Sequence, residues 1–133
     1  MIRQEFDTDG YWKVIVYYDV DFNLLTPLHS ELKDAGFPPK EIAFIFKQLK
    51  RGSVKGVTCS NGAYHTSIVI FNKHNTLPDY INSIVHEAEH IKQAMLRTYM
   101  IEDKGEPPAY TIGYLVERMC EGFEEVIENR EDF

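Results

Sequence analysis

The residues best suited to chemistry lie in the pentapeptide His86-Glu87-Ala88-Glu89-His90. In a helix, side chains four residues apart lie one turn apart on the same face, so His86 and His90 offer two imidazole nitrogens to one tetrahedral Zn²⁺. Glu87 is not spaced to be a third ligand. It is placed to take a proton from a zinc-activated water, because the metal lowers the pKa of that water. The pattern therefore predicts a catalytic zinc site with Glu87 as general base.

A catalytic zinc has three protein ligands and an open fourth position, so one more donor is needed. We expect Glu106, because the chain turns just before it and a carboxylate at the head of a helix is kept anionic by the helix dipole. This choice requires the motif helix to end near Arg97 to Met100 and the chain to fold back. Tyr110, one turn after Glu106, is placed either to donate a hydrogen bond to an oxyanion or to fill the gap between two helices. The remaining ligand candidates are acids downstream and histidines upstream of the motif: Glu102, Asp103, Glu117, Glu121, His65 and His74.

The strands that precede the motif are indicated by β-branched and aromatic residues. Tyr11 to Val20 has the composition of one strand. Val54 to Ser60 and Tyr64 to Asn72 form two more, joined by an Asn61-Gly62 turn that is typical of a hairpin. We expect the second of these hairpin strands to offer its edge to an extended substrate.

Helices account for most of the remaining chain. Two packing helices follow Thr26-Pro27 and Pro38-Pro39, the motif helix begins at Thr76, and a last amphipathic helix follows Pro107-Pro108. The charged tail from Glu128 to Phe133 is expected to fray. The apolar stripe of the motif helix, nearly opposite the two histidines, is expected to comprise Ile81, Ile84, Val85, Ala88, Ile91 and Met95. These elements predict one α+β domain over residues 1–133, with a short antiparallel or mixed sheet of about three strands packed on helices.

Composition narrows the class of protein. A chain of 133 residues, 44% hydrophobic and 26% charged, fits one globular domain. Its formal net charge of −7 argues against nucleic acid as the main partner. No apolar run is long enough to cross a membrane and the N-terminus does not resemble a signal peptide, so the cytoplasm is the expected location. Cys59 and Cys120 form no CxxC pair and are expected to be buried thiols.

Three stretches of the C-terminal half carry a family resemblance: the hairpin Ser60 to Ile70, the run Asn82 to His90, and the segment Gly105 to Tyr114. Together they resemble small zincin-like metallopeptidases that phages and mobile elements often encode, related to the minimal gluzincins. The resemblance implies a zinc site of two histidines and one glutamate, with Glu106 as third ligand and Glu87 as general base. It also implies hydrolysis of a peptide or protein substrate.

Other functions stay open at this point. A non-catalytic zinc-binding module for protein interaction or regulation would hold the metal and cleave nothing. An ordinary helix-rich interaction domain would hold no metal, the motif having arisen by chance. A protease that cleaves a repressor, in the manner of phage-immunity anti-repressor proteases, shares the predicted site and differs only in its substrate.

Overall fold

A four-stranded mixed sheet lies at the centre of the computed structural model, which describes all 133 residues. Its strands lie in the order β1-β2-β4-β3. The outer pairs, β1 with β2 and β4 with β3, are antiparallel, whereas β2 and β4 run parallel in the middle. The strands are β1 (Ile2–Asp7), β2 (Lys13–Tyr18), β3 (Gly56–Asn61) and β4 (Thr66–Phe71).

Helices cover both faces of this sheet. The helices α1 (Thr26–Asp34) and α2 (Pro39–Arg51) connect β2 to β3, and their apolar residues pack on one face in a core that includes Leu28, Leu32, Ile42, Ile68 and Ile70. The helices α3 (Leu77–Tyr99) and α4 (Glu106–Asn129) follow β4 and cover the other face, in a core that includes Val69, Phe71, Tyr80, Ile84, Leu115 and Phe123. None of the four helices combines the length and the apolar content that crossing a bilayer requires.

The α+β class is therefore confirmed, but the expected number of about three strands is corrected to four. The additional strand is β1, whose sequence alternates between outward charged residues and inward Ile2, Gln4 and Phe6. Gln4 carries a polar side chain inward because its Nε2 donates to the Arg118 carbonyl at 2.5 Å and its Oε1 accepts from Tyr18 at 2.7 Å. Because Gln4 interrupts the alternation of apolar and polar residues, the sequence pattern did not identify β1 as a strand.

The hairpin of β3 and β4 is confirmed, with a connection longer than a two-residue turn. A 3₁₀ turn at Gly62–Tyr64 and the left-handed residue His65 join the two strands. The expectation that the second hairpin strand lies at an edge is wrong, because β4 is enclosed between β2 and β3. The edge beside α3 is instead formed by β3.

The motif helix begins and ends where the sequence predicts. The side chain of Thr76 accepts a hydrogen bond from the Asp79 amide at 3.3 Å, which caps the first turn of α3. The helix ends at Tyr99, and Met100 takes a left-handed conformation with φ of 58°. The chain then folds back into α4, so that α3 and α4 pack against each other.

The last helix departs from expectation at both of its ends. It begins at Glu106 rather than after the two prolines, because proline needs no hydrogen-bond partner in the first turn of a helix. Its C-terminal tail folds back onto the core. Phe133 packs on Tyr80 and Phe123, and the Arg130 guanidinium lies 3.7 Å from the centre of the Phe133 ring.

Candidate metal centre

The two motif histidines lie one turn apart on the exposed face of α3. Their Nε2 atoms are 3.2 Å apart, which also allows one ring to donate a hydrogen bond to the other. Two nitrogens bound to a tetrahedral zinc at its usual bond length lie about 3.3 Å from each other. The spacing of the two nitrogens therefore matches that of two corners of a zinc site.

Glu87 lies between the histidine pair and the sheet edge. Its side chain is only 6% exposed. The Oε1 atom accepts a hydrogen bond from the Thr58 hydroxyl at 2.9 Å, and Oε2 lies 3.9 Å from the Nε2 of His86. One carboxylate oxygen is thus held by β3, and the other lies within 4 Å of one motif histidine.

A cavity of about 280 Å³ lies beside His86 and Glu87. Gly56, at the start of β3, forms part of its wall, and a Cβ there would lie 2.9 Å from the Phe71 ring and 3.4 Å from the Glu87 Cγ. A side chain at Gly56 would therefore crowd the Phe71 ring, whereas its distance to Glu87 would be that of an ordinary contact. The other lining residues are Val54, Lys55, Asn82 and Ser83.

Thr58 is a site residue that the sequence analysis missed. It pairs with Val69, whose side chain packs on the face of the sheet covered by α3 and α4. Because side chains alternate along a strand, Thr58 faces α3 as well. The sequence indicated only that one strand of the predicted hairpin carries a hydroxyl on its helix-facing side. Its partner, Glu87, becomes evident only from the position of α3 over β3.

Glu106 is not brought to the histidine pair in this structure. No group of three or more His, Cys, Asp or Glu side chains gathers with the geometry of a metal site. After His90, α3 continues for nine residues to Tyr99, a rise of about 13 Å, before the chain turns. Glu106 therefore begins α4 beyond the site, with an exposed side chain that makes no ion pair. Of the three expected ligands, His86 and His90 have the spacing that zinc requires, and Glu106 does not lie beside them.

The other acids considered as ligands have partners elsewhere or face solvent. Asp103 pairs with Lys92 of α3 at 3.0 Å, and this ion pair ties the connection between α3 and α4 to the motif helix. The remaining pairs are Glu102 with Lys104 at 3.3 Å and Glu121 with Arg118 at 3.5 Å, and Glu117 is exposed.

The two upstream histidines have packing roles. His74 is almost fully buried, donates from Nδ1 to the Asn72 carbonyl at 2.7 Å, and accepts from the Ser83 hydroxyl at 2.7 Å. Burial lowers the pKa of His74, so the ring is held neutral. His65 stacks on Trp12 with ring centres 5.6 Å apart. Neither joins the motif histidines.

Tyr110 lies apart from the motif histidines as well. Its side chain lines a different cavity, near the end of α3, which shares no residue with the cavity beside His86 and Glu87. The residue is 73% exposed, so it does not fill the gap between α3 and α4. Its role as an oxyanion donor stays a prediction that this arrangement does not favour.

Comparisons with known proteins do not add a family. No protein-family model matches the chain, and no curated protein or solved structure matches it either. The evidence for function is therefore the arrangement of His86, Glu87 and His90.

Proposed function

We propose that this chain is a zincin-like, zinc-dependent metallopeptidase of the cytoplasm. The observation that carries the proposal is the motif arrangement. Two imidazole nitrogens lie 3.2 Å apart, beside a buried carboxylate with one oxygen held by Thr58 and the other 3.9 Å from the Nε2 of His86. A pair of surface histidines without catalytic function requires no such carboxylate. The buried position of Glu87 is costly for a charged group and is explained by a role at the site.

Each residue has a stated part in the proposed reaction. His86 and His90 hold the metal, and zinc, when bound, supplies a Lewis acid that makes water acidic and polarises a carbonyl. Glu87 takes one proton from the attacking water, whose oxygen forms a bond to the peptide carbonyl carbon. The bond from that carbon to the amide nitrogen then breaks, and Glu87 passes its proton to the leaving amine. Thr58 positions Glu87 throughout.

Glu106 remains our proposed third ligand. It is the first residue of α4, its carboxylate is exposed, and it makes no ion pair that would have to break before it binds a metal. Residues 100–105, which carry it, form a connection outside the helices, attached to α3 by the pair of Asp103 with Lys92. The proposal therefore includes a rearrangement of this connection when zinc binds.

The substrate is proposed to be an extended peptide that pairs with β3. This strand has one partner, β4, so its other edge is open to main-chain hydrogen bonds from an added strand. A peptide in that position runs past Thr58, whose side chain contacts Glu87. The scissile bond would then lie beside the catalytic carboxylate.

The first experiment measures zinc in protein purified without chelator. We expect about one zinc per chain in the wild type, in Glu87→Gln and in the control His29→Ala, which removes a histidine from a different helix. His90→Ala should lose the metal, and Glu106→Ala should lose most of it. A folded wild-type protein without zinc would overturn the proposed function, and full retention of zinc in Glu106→Ala would remove Glu106 from the site.

A second experiment separates catalysis from zinc binding alone. Cleavage of a mixed library of unstructured peptides is followed by mass spectrometry for the wild type and for Glu87→Gln. We expect cleavage that Glu87→Gln abolishes while its zinc content is unchanged. A zinc-loaded wild type that cleaves no peptide and binds no hydroxamate would instead be the non-catalytic interaction module.

A further inference from the structure

A second and larger cavity lies at the opposite end of α3 from its first turn. Its volume is about 710 Å³, within the range of sites that bind small ligands. It is bounded by the end of α3, the first turns of α4 and the turn between β1 and β2. Four of its nine lining residues are tyrosines: Tyr11, Tyr99, Tyr110 and Tyr114.

This cavity is separate from the candidate metal centre. Tyr99 lies nine residues beyond His90, which corresponds to a rise of about 13 Å along α3. None of the residues that line the large cavity lines the cavity beside Glu87. The proposed peptidase reaction therefore leaves it without a role.

Two of the four rings are fixed before any ligand binds. The Tyr99 hydroxyl donates to the Tyr11 carbonyl at 2.9 Å, and the Tyr114 hydroxyl donates to the Asp7 carbonyl at 3.1 Å. Tyr99 also packs edge-on against Trp12, with ring centres 6.0 Å apart. A ligand that contacts these rings does not have to order them, which reduces the entropic cost of binding.

The polar groups of the cavity select for positive charge. Asp9 is its only charged lining residue, and this aspartate makes no ion pair or side-chain hydrogen bond within the chain. The hydroxyl of Tyr110 has no hydrogen-bond partner, and its ring is 73% exposed. The net charge of −7 favours the approach of cations to the protein as a whole.

From these features we propose that the cavity binds a basic side chain, lysine or arginine, of a peptide or protein partner. The aliphatic part of such a side chain packs on Met95 and Ile101. Its charged end lies over the tyrosine faces and pairs with Asp9, an arrangement that combines cation–π attraction with an ion pair. This site does not depend on the proposed peptidase function.

The test uses acetyl-Gly-Arg-Gly-amide as probe and reads binding from NMR chemical shifts, so it requires neither metal nor cleavage. We expect shifts at the four tyrosines, and binding at least tenfold weaker when citrulline, a neutral analogue of the same shape, replaces arginine. Tyr110→Leu should weaken binding by about 3- to 30-fold. Asp9→Asn should weaken peptide binding more than Tyr110→Leu does, and should make the affinity less dependent on salt concentration.

The control is Phe44→Leu, which changes an aromatic residue that is 61% exposed on α2, away from the cavity. This variant should bind the peptide as the wild type does. Equal affinity for the arginine and citrulline peptides would overturn the proposal, and so would unchanged binding in Tyr110→Leu. Binding of free ethylguanidinium as tightly as the peptide would show that a small organic cation, not a peptide, is the ligand.

Discussion

Replacing Thr58 by valine should destabilise the folded chain through Glu87. The substitution keeps the shape of the side chain and removes the hydroxyl that donates to Oε1 at 2.9 Å. Since the Glu87 side chain is only 6% exposed, water cannot easily replace this donor. A hydrogen bond to a buried charged group contributes about 1.5–3 kcal/mol, so the folding equilibrium constant should fall by about 10- to 150-fold.

The measurement is urea unfolding of zinc-free protein, which keeps the result independent of metal binding. With a denaturant slope of about 1–3 kcal/mol per molar urea, the midpoint should fall by about 1 M. Thr58→Ser, which keeps the hydroxyl, is the matched control and should lose much less stability. The reasoning is refuted if valine and serine variants unfold at the same urea concentration as the wild type.

Three further predictions concern packing and pH. Gly56→Ala places a Cβ 2.9 Å from the Phe71 ring and should cost about 1–3 kcal/mol in thermal unfolding. The matched control is Gly113→Ala in α4, where a Cβ meets nothing within 4 Å, so this variant should lose no stability. Because burial lowers the pKa of His74, the unfolded chain takes up a proton below about pH 6.5 that the folded chain does not. The free energy of unfolding of the wild type should therefore fall as the pH is lowered from about 7.5 to about 5.5. It should fall less in His74→Asn, and an equal fall in the wild type and the variant would contradict this reasoning. Phe133→Ala should lower the free energy of unfolding, measured with a chemical denaturant, by about 1–2 kcal/mol because it removes the contacts with Phe123 and Arg130. An unchanged free energy of unfolding would mean that the tail does not pack on the core.

Local signals in the sequence predict α3 well. The capping residue Thr76 and the end of the helix near Met100 follow from residues within one or two turns of each terminus. The spacing of His86 and His90 places their nitrogens 3.2 Å apart because both residues lie on one helix. These features can be predicted from the sequence because each depends on residues of one helix only.

The buried face of α3 shows where sequence reasoning stops. Ile81 and Val85 belong to the predicted apolar stripe, yet they are 42% and 45% exposed. Glu87 and Lys92 are buried instead. Their partners, Thr58 and Asp103, come from β3 and from the connection after α3, so the helix is rotated relative to the stripe that hydrophobicity alone predicts.

The order of the strands in the sheet could not be predicted from the sequence either. Each hairpin pairs neighbouring strands, but the parallel contact of β2 with β4 joins residues 13–17 to residues 66–70 across α1 and α2. Nothing in either strand marks the other as its partner. The choice of β4 as a free edge was wrong because this contact occupies the edge. The distance of Glu106 from the histidines likewise depends on how α4 lies relative to α3, which neither helix shows by itself.

The residues around the histidine pair come from one uninterrupted stretch of chain, from Val54 just before β3 to His90 in α3. The parallel pairing of β2 with β4, in contrast, must close a loop that contains two helices. Contacts between near neighbours in sequence form earlier than contacts that require such a closure. We therefore expect the hairpin and α3 to bring the histidines, Glu87 and Thr58 together before the centre of the sheet is complete. If zinc binds as proposed, a metal ion held there would stabilise this stretch of the chain.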